Sequence, residues 1–143
     1  MSVEPAAALL LYVEDEVVLQ DILQTALEEA GFEVVVVSSG AEALDRLQAL
    51  AGALRGLITD VNLGDGINGW EIGRHARGLA PGLPVIYVSG GSEHEWTAEG
   101  VPHSMMIAKP FTPTQVIVAV STLINAAGLG HRPINGIPKK WRG

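Results

Sequence analysis

The chain has 143 residues, of which 48% are hydrophobic, and it contains no cysteine. That length allows one hydrophobic core but not a second full domain, and the absence of cysteine excludes disulfides, thiolate metal ligands and thiol nucleophiles. Residues 1–127 hold 5 basic and 16 acidic residues, and such an acidic body repels nucleic acid. We therefore expect a single acidic domain, located in the cytoplasm, because a chain without cysteine suits a reducing compartment.

The two ends of the chain differ from its body. The longest apolar run near the start, Ala6–Val13, is too short to span a membrane, and no basic residue precedes it. We therefore expect neither a membrane segment nor a signal peptide, and we interpret residues 1–8 as an N-terminal extension. Residues 128–143 contain four basic residues and no acid. Their lack of periodicity predicts a loose basic tail rather than a specific binding segment for an acidic partner, a membrane or nucleic acid.

The first half of the chain alternates between short apolar runs and segments with helical periodicity. Short apolar runs are typical of buried strands, whereas apolar residues that recur every three or four positions indicate an amphipathic helix. Gly31 is well placed to end the first helix. In chain order, the pattern predicts a strand at Leu9–Val13, a helix at Val17–Ala30, a strand at Phe32–Val37, a helix at Ala41–Ala51 and a strand at Gly56–Thr59.

The same alternation continues in the second half, after a glycine-rich loop. The turn Pro81-Gly82 separates the next helix from the strand that follows it. The pattern predicts a helix at about Trp70–Leu79, a strand at Pro84–Val88, a weakly helical stretch at Ser92–Gly100, a strand at Ser104–Ala108, and a final helix from Thr112 or Pro113 to Ala127.

Five strands that alternate with five helices predict a doubly wound α/β fold. Strands joined by helical crossovers form a parallel sheet that is covered on both faces, and right-handed crossovers leave few possible topologies. We expect residues 9–127 to form this domain. Because ligands of such folds bind outside the carboxyl ends of the strands, the residues just after each strand are the candidate site.

Five side chains are predicted to meet at this edge of the sheet: Glu14, Asp15, Asp60, Ser89 and Lys109. Three neighbouring carboxylates repel one another, so their ionised forms need a cation, and Mg²⁺ is the hard, oxygen-liganded ion that fits best. A carboxylate is able to attack a phosphoryl group when a metal, a lysine and a hydroxyl hold the phosphate oxygens. The backbone amide of Gly90 is a further candidate donor to an anion.

Four motifs at these positions resemble the receiver domain of two-component response regulators. They are Val13-Glu14-Asp15-Glu16, Asp60 after an apolar strand, Ser89-Gly90, and Ala108-Lys109-Pro110-Phe111, in this order and spacing. The resemblance extends from about Leu9 to Ala127. It implies a flavodoxin-like sheet with strand order 2-1-3-4-5, Mg²⁺ as the cofactor, and a histidine kinase or a histidine phosphotransfer protein as the phosphoryl donor.

The resemblance also implies how a metal is held. Asp60 would be both the phosphoacceptor and a metal ligand. Asp15 would coordinate the metal directly, and Glu14 would coordinate it through water. The backbone carbonyl of Asn62 would complete the share of the coordination that the protein provides.

The phosphoryl group itself would be held by residues after the fourth and fifth strands. By the same resemblance, Ser89 would bond the phosphoryl group and move with it, beside the backbone amide of Gly90. Lys109 would pair with the aspartyl phosphate, and a cis peptide bond would join it to Pro110.

Three features depart from the family pattern. Met106 stands three residues before the lysine, where the family usually has an aromatic switch residue, so it is either a modified switch or simple core filling. The loop Leu63–Gly69 lacks the usual proline and is one residue longer. The fourth helix is expected to be short, which puts the usual dimerisation face in doubt.

The expected function is that of a signalling module. We interpret the chain as a stand-alone receiver that takes and slowly loses its own phosphate, is not a turnover enzyme, and acts on an unknown downstream protein through protein contacts, with no nucleic-acid-binding domain. The main alternative is a receiver that is part of a hybrid kinase or of a longer regulator. A haloacid dehalogenase-like phosphatase is disfavoured, because Asn62 stands where that family has a second acid. The complete set of acids, serine and lysine argues against a receiver that no longer takes phosphate.

Overall fold

The computed structural model describes the backbone of residues 7–131 and the side chains of residues 7–127. Five parallel strands form one sheet in the order β2-β1-β3-β4-β5, so the predicted flavodoxin-like topology is confirmed. The strands are β1 (Leu9–Val13), β2 (Glu33–Val37), β3 (Leu54–Asp60), β4 (Val85–Ser89) and β5 (Met105–Ala108). The helices are α1 (Val17–Glu29), α2 (Gly40–Leu50), α3 (Gly69–Leu79), α4 (Trp96–Glu99), which follows a 3₁₀ turn at Glu93–Glu95, and α5 (Pro113–His131).

Helices cover both faces of the sheet and bury a core on each. Alternate residues of a strand point to opposite faces, so Leu10 and Tyr12 of β1 join one cluster while Leu11 and Val13 join the other. On the first face the cluster includes residues of α1 and α5, and on the second it includes residues of α2 and α3. Within residues 7–131, no helix is both long enough and apolar enough to cross a membrane.

Two boundaries differ from the sequence prediction by more than one residue. Strand β3 begins at Leu54 rather than Gly56, because Leu54 is buried and pairs with Leu9. Arg55 is exposed at an irregularity in that pairing, and its charge hid the start of the strand in the apolar pattern.

Helix α5 continues through His131, four residues beyond the predicted end at Ala127. Glycines at positions 128 and 130 suggested an earlier end, but a helical glycine costs only about 1 kcal/mol relative to alanine and keeps its backbone hydrogen bonds. The first four residues of the predicted tail 128–143 are therefore helical. Its basic residues, and residues 1–6 of the predicted N-terminal extension, lie outside the described residues.

The loop after β3 is held at both of its ends. Leu63 is buried, and Ile67 packs against Gly40 so closely that a Cβ on this glycine would lie 2.4 Å from Ile67 Cγ1. At the end of the loop, the backbone N–H of Gly69 donates to the carbonyl of Val61 at 2.8 Å. A reciprocal capping box between Asn68 and Glu71 then starts α3. The longer loop is thus packed onto α2 and β3.

Tyr87 of β4 connects the sheet to the segment that carries α4. Its buried ring lies 4.6 Å, centroid to centroid, from that of Trp70, and its hydroxyl accepts a hydrogen bond from the backbone N–H of Val101 at 3.1 Å. A Cβ on Gly73 of α3 would lie 2.1 Å from the Tyr87 hydroxyl. Glycine at position 73 therefore leaves the space that the Tyr87 hydroxyl occupies.

We expect Gly73→Ala to lower the free energy of unfolding by about 1–3 kcal/mol, the usual cost of overpacking a well-packed core. The matched control is Gly78→Ala in the same helix, where an added Cβ meets no atom within 4 Å. That substitution should raise stability by about 0.5–1 kcal/mol, because alanine is the better helix former. Urea unfolding of the two variants measures both effects, and equal stability of the two would contradict the packing argument.

Candidate functional site

The carboxyl ends of four strands bring the predicted polar residues to one edge of the sheet. Glu14 follows β1, Asp60 ends β3, Ser89 ends β4 and Lys109 follows β5. Lys109 Nζ lies 3.0 Å from Asp60 Oδ2 and 3.3 Å from Glu14 Oε1. One ammonium group therefore contacts two carboxylates. Both carboxylates are almost fully buried: the side chain of Glu14 is 1% exposed and that of Asp60 is 6% exposed, whereas that of Lys109 is 19% exposed.

Asp15 adds a third carboxylate on the solvent side. One oxygen from each of Glu14, Asp15 and Asp60 lies within 4.8 Å of the other two. Asp15 is exposed, whereas the other two acids are buried. Clustered carboxylate oxygens are the donors that hard divalent cations prefer, so this cluster is able to hold a metal ion.

The electrostatics of the site also suit a cation. Burial raises the pKa of Glu14 to about 7, with a backbone hydrogen bond from Glu16 opposing the rise and the charge of Asp60 adding to it. Burial also raises the pKa of Asp60, against the opposing hydrogen bond from Lys109. Burial alone would lower the pKa of Lys109, but its hydrogen bond to Asp60 and the two nearby charges raise it instead. The charge of Lys109 only partly offsets the rise in pKa that burial causes in both acids. A divalent cation would add positive charge that favours their ionised forms.

Ser89 is fully buried, and its hydroxyl already has partners. Its Oγ accepts hydrogen bonds from the backbone N–H groups of Gly91, at 3.2 Å, and Ser92, at 2.8 Å. Gly90 lies beside Lys109, where an added Cβ would make an ordinary contact of 3.7 Å with Lys109 Cβ. Packing therefore does not require glycine at position 90, and a bond from its amide to an anion remains a prediction.

Asn62 links the site to the next loop. Its backbone N–H donates to Asp60 Oδ1 at 3.2 Å, and its side-chain Nδ2 donates to Ser92 Oγ at 3.3 Å. Ser92 was not among the predicted site residues, because no spacing rule connects it to a residue 30 positions earlier. Coordination by the Asn62 carbonyl remains a prediction.

The remaining predicted positions lie on and after β5. The peptide bond between Lys109 and Pro110 is cis, as the resemblance implied. Met106 is half-buried and packs against the core on the α2 and α3 face. Together with Trp96 and Val118 it lines an open groove of about 520 Å³ between α4, β5 and α5. Its role as a switch remains a prediction.

The fold and the site together define an α/β domain of the receiver type. The sequence matches the response regulator receiver domain over residues 10–121. The chain belongs to this family and is thus a signalling domain of two-component systems.

Two solved structures show the same fold. A response regulator receiver protein from Sinorhizobium medicae WSM419 is 41% identical, with a TM-score of 0.81 over 85% of this chain and 97% of that one. The receiver domain of the hybrid histidine kinase CckA is 27% identical, with a TM-score of 0.70 over 82% of this chain and 98% of that one.

Curated relatives are longer than this chain. The transcriptional regulatory protein CreB of Escherichia coli (strain K12) is 35% identical over 114 residues, which cover 78% of this chain and 48% of CreB. CusR of the same strain is 32% identical, over 80% of this chain and 50% of CusR. The chain thus spans about half the length of these relatives.

The raised pKa of Glu14 predicts a pH-dependent stability. The folded protein keeps a proton on Glu14 up to a pH of about 7, whereas the unfolded chain loses it near the ordinary value of 4.5. Without a metal, the free energy of unfolding should therefore fall as the pH rises between these values. Urea unfolding in EDTA at a series of pH values measures this slope.

Glu14→Gln should make that slope shallower, because glutamine binds no proton in either state. The control is Glu29→Gln at the exposed end of α1, which should leave the slope as in the wild type. If the Glu14→Gln variant has the same slope as the wild type, Glu14 is not the group whose raised pKa causes the pH dependence.

Proposed function

We propose that this receiver domain takes a phosphoryl group on Asp60, with Mg²⁺ bound at the acidic cluster, from a histidine kinase or a histidine phosphotransfer protein. The observation that carries the proposal is the position of Lys109 Nζ, 3.0 Å from Asp60 Oδ2 at a buried strand end. The hydrogen bond from Lys109 favours the ionised form of Asp60, and an ionised carboxylate needs no general base to act as a nucleophile.

The transfer is a displacement at phosphorus. A carboxylate oxygen of Asp60 forms a bond to phosphorus, and the bond between phosphorus and the imidazole nitrogen of the donor breaks, with the electron pair remaining on the donor. Lys109 offsets the negative charge of the phosphoryl oxygens. Ser89 turns away from the backbone amides of Gly91 and Ser92, which donate to its oxygen in this structure, and its hydroxyl then donates to one of the phosphoryl oxygens.

Asp15, Asp60 and Glu14 are the residues that hold the metal in this proposal, together with the carbonyl of Asn62. With Mg²⁺ held there, the charge of the phosphoryl oxygens would be offset, and the repulsion between the phosphate and the carboxylates would be lower. The burial that raises the pKa of Glu14 and Asp60 supports this assignment, because a cation stabilises their ionised forms.

An apolar patch beside the site supports a protein as the phosphoryl donor. Val17, Val18 and Ile22 of α1 are 66%, 68% and 48% exposed, and this helix begins just after the acidic residues that follow β1. Exposed apolar residues grouped next to a reactive site are typical of a surface that a protein partner covers. We assign this patch to the contact with the donor.

In this proposal the domain transmits the signal by binding another protein. It acts in the cytoplasm and does not turn over a substrate. The sequence predicts a stand-alone receiver, with a receiver inside a longer protein as the alternative. Two similar proteins are of the second kind: CreB is named a transcriptional regulatory protein, and the CckA domain comes from a hybrid histidine kinase. The open reading frame distinguishes the two arrangements.

Incubation with acetyl phosphate and Mg²⁺ tests the proposal. Intact-mass measurement should show one added phosphoryl group on the wild type, and none when Mg²⁺ is replaced by EDTA. Asp60→Asn should gain no phosphate, because the amide is not a nucleophile, whereas Asp45→Asn on the exposed side of α2 should label as the wild type does. Labelling of Asp60→Asn, or many turnovers of phosphate release from small phosphoesters, would refute the proposal.

A second test separates the donor contact from the chemistry. With a histidine kinase that phosphorylates the wild type, Val18→Asp should slow phosphotransfer by about 10-fold or more, because a charge is buried at the contact. Labelling by acetyl phosphate needs no protein contact and serves as the internal reference. Leu79→Asp, at an exposed position at the end of α3, is the matched control. An equal effect of both substitutions would remove the patch on α1 from the proposal.

A further inference from the structure

A side-chain hydrogen bond joins the two loops that follow β3 and β4. Asn62 Nδ2 donates to Ser92 Oγ at 3.3 Å, across 30 positions of sequence. We call this contact the Asn62–Ser92 bridge. It is a direct side-chain link between these two loops, and it lies beside the proposed phosphoacceptor.

The hydroxyl of Ser92 is available for this bridge because it does not serve its usual local purpose. Ser92 directly precedes the 3₁₀ turn Glu93–Glu95, where a serine commonly caps the turn with its side chain. Here the side chain makes no capping hydrogen bond, and only the carbonyl of Ser92 accepts from the backbone N–H of Glu95, at 3.0 Å.

Both ends of the bridge are attached to the site through backbone groups. The N–H of Ser92 donates to Ser89 Oγ at 2.8 Å, and the N–H of Asn62 donates to Asp60 Oδ1 at 3.2 Å. Asn62 is exposed, whereas Asp60 is 5% exposed. The bridge therefore lies on the solvent side of the Asp60 carboxylate.

We propose that Ser92 is a positioning residue that lengthens the lifetime of the phosphoryl group on Asp60, by holding the carboxamide of Asn62 across the gap between the two loops. This inference rests on the proposed phosphorylation of Asp60. The step that it slows is hydrolysis: a water oxygen bonds to phosphorus, the bond from phosphorus to Asp60 breaks, and the carboxylate keeps the electron pair. The proton of the water passes to solvent. The bridge itself does not involve Ser89, so it stays in place when Ser89 turns toward the phosphoryl group. With the bridge in place, water has less access to the phosphorus.

The experiment measures the half-life of the phosphorylated protein after acetyl phosphate is removed, in the presence of Mg²⁺. Ser92→Ala should shorten the half-life by about 2- to 10-fold, the range expected for the loss of one neutral hydrogen bond. Ser92→Thr keeps a hydroxyl and should restore most of the half-life. Ser121→Ala on α5 is the matched serine control and should decay as the wild type does.

A double-mutant cycle tests the contact itself. Asn62→Ala removes the other end of the bridge, so Ser92→Ala in that background should shorten the half-life no further. Additive effects of the two substitutions, or a Ser92→Ala half-life equal to that of the wild type, would overturn the inference. A structural role alone would lower the extent of labelling and the melting temperature while leaving the half-life as it was, and that pattern would also overturn it.

The outcome for the wild type separates the two proposals. If the wild type is labelled but Ser92→Ala decays at the same rate, the inference about Ser92 fails while phosphorylation of Asp60 stands. If the wild type takes no phosphate, both fail. Should Ser92→Ala fail to fold, Asn62→Ala alone tests the bridge from the other loop: a half-life equal to that of the wild type would overturn the inference.

Discussion

The structure depends on one ammonium group placed between two buried carboxylates. Lys109 contacts both Asp60 and Glu14, and each of the three residues lies at the end of a different strand. The contact therefore exists only when β1, β3 and β5 are correctly placed in the sheet. Buried carboxylates without a counter-charge are costly, and one lysine offsets them only in part, as their raised pKa values indicate. The site is therefore suited to additional positive charge, and this is the physical basis of the proposed metal binding.

The segment between β4 and β5 is attached to the site, to β4 and to α3 by hydrogen bonds. Ser89 holds its start through two backbone amides, and Tyr87 holds Val101 near its end. Helix α3 holds the middle, with hydrogen bonds from Trp70 to Glu95 and from Arg74 to Glu99. Ser89, Tyr87 and Trp70 are buried, whereas the contact between Arg74 and Glu99 is exposed. A movement of Ser89 toward a phosphoryl group would thus release one of several attachments, with Met106 beside the groove that this segment borders.

The fold and most of the site residues were predictable because both follow from local patterns. Short apolar runs between helical segments located all five strands. Because parallel strands place their carboxyl ends at one edge of the sheet, the site residues Glu14, Asp60, Ser89 and Lys109 were identified together. The boundaries were less certain. Exposed Arg55 concealed the start of β3, and glycines near the end of α5 suggested too early an end, because in both places the surrounding structure overrides a local preference.

By itself, the amino-acid sequence determined the order of the elements, the chemical types at each strand end and the resemblance to a known family. Only the tertiary structure decided which of these groups touch: Lys109 contacts two acids, Ser89 is engaged with its own loop, and Ser92 meets Asn62. Distances and burial arise between residues that are far apart in sequence, and they set the hydrogen bonds and the pKa of each group. A strand-end pattern predicts that such residues are neighbours, but the packing of the loops between them decides which of them pair.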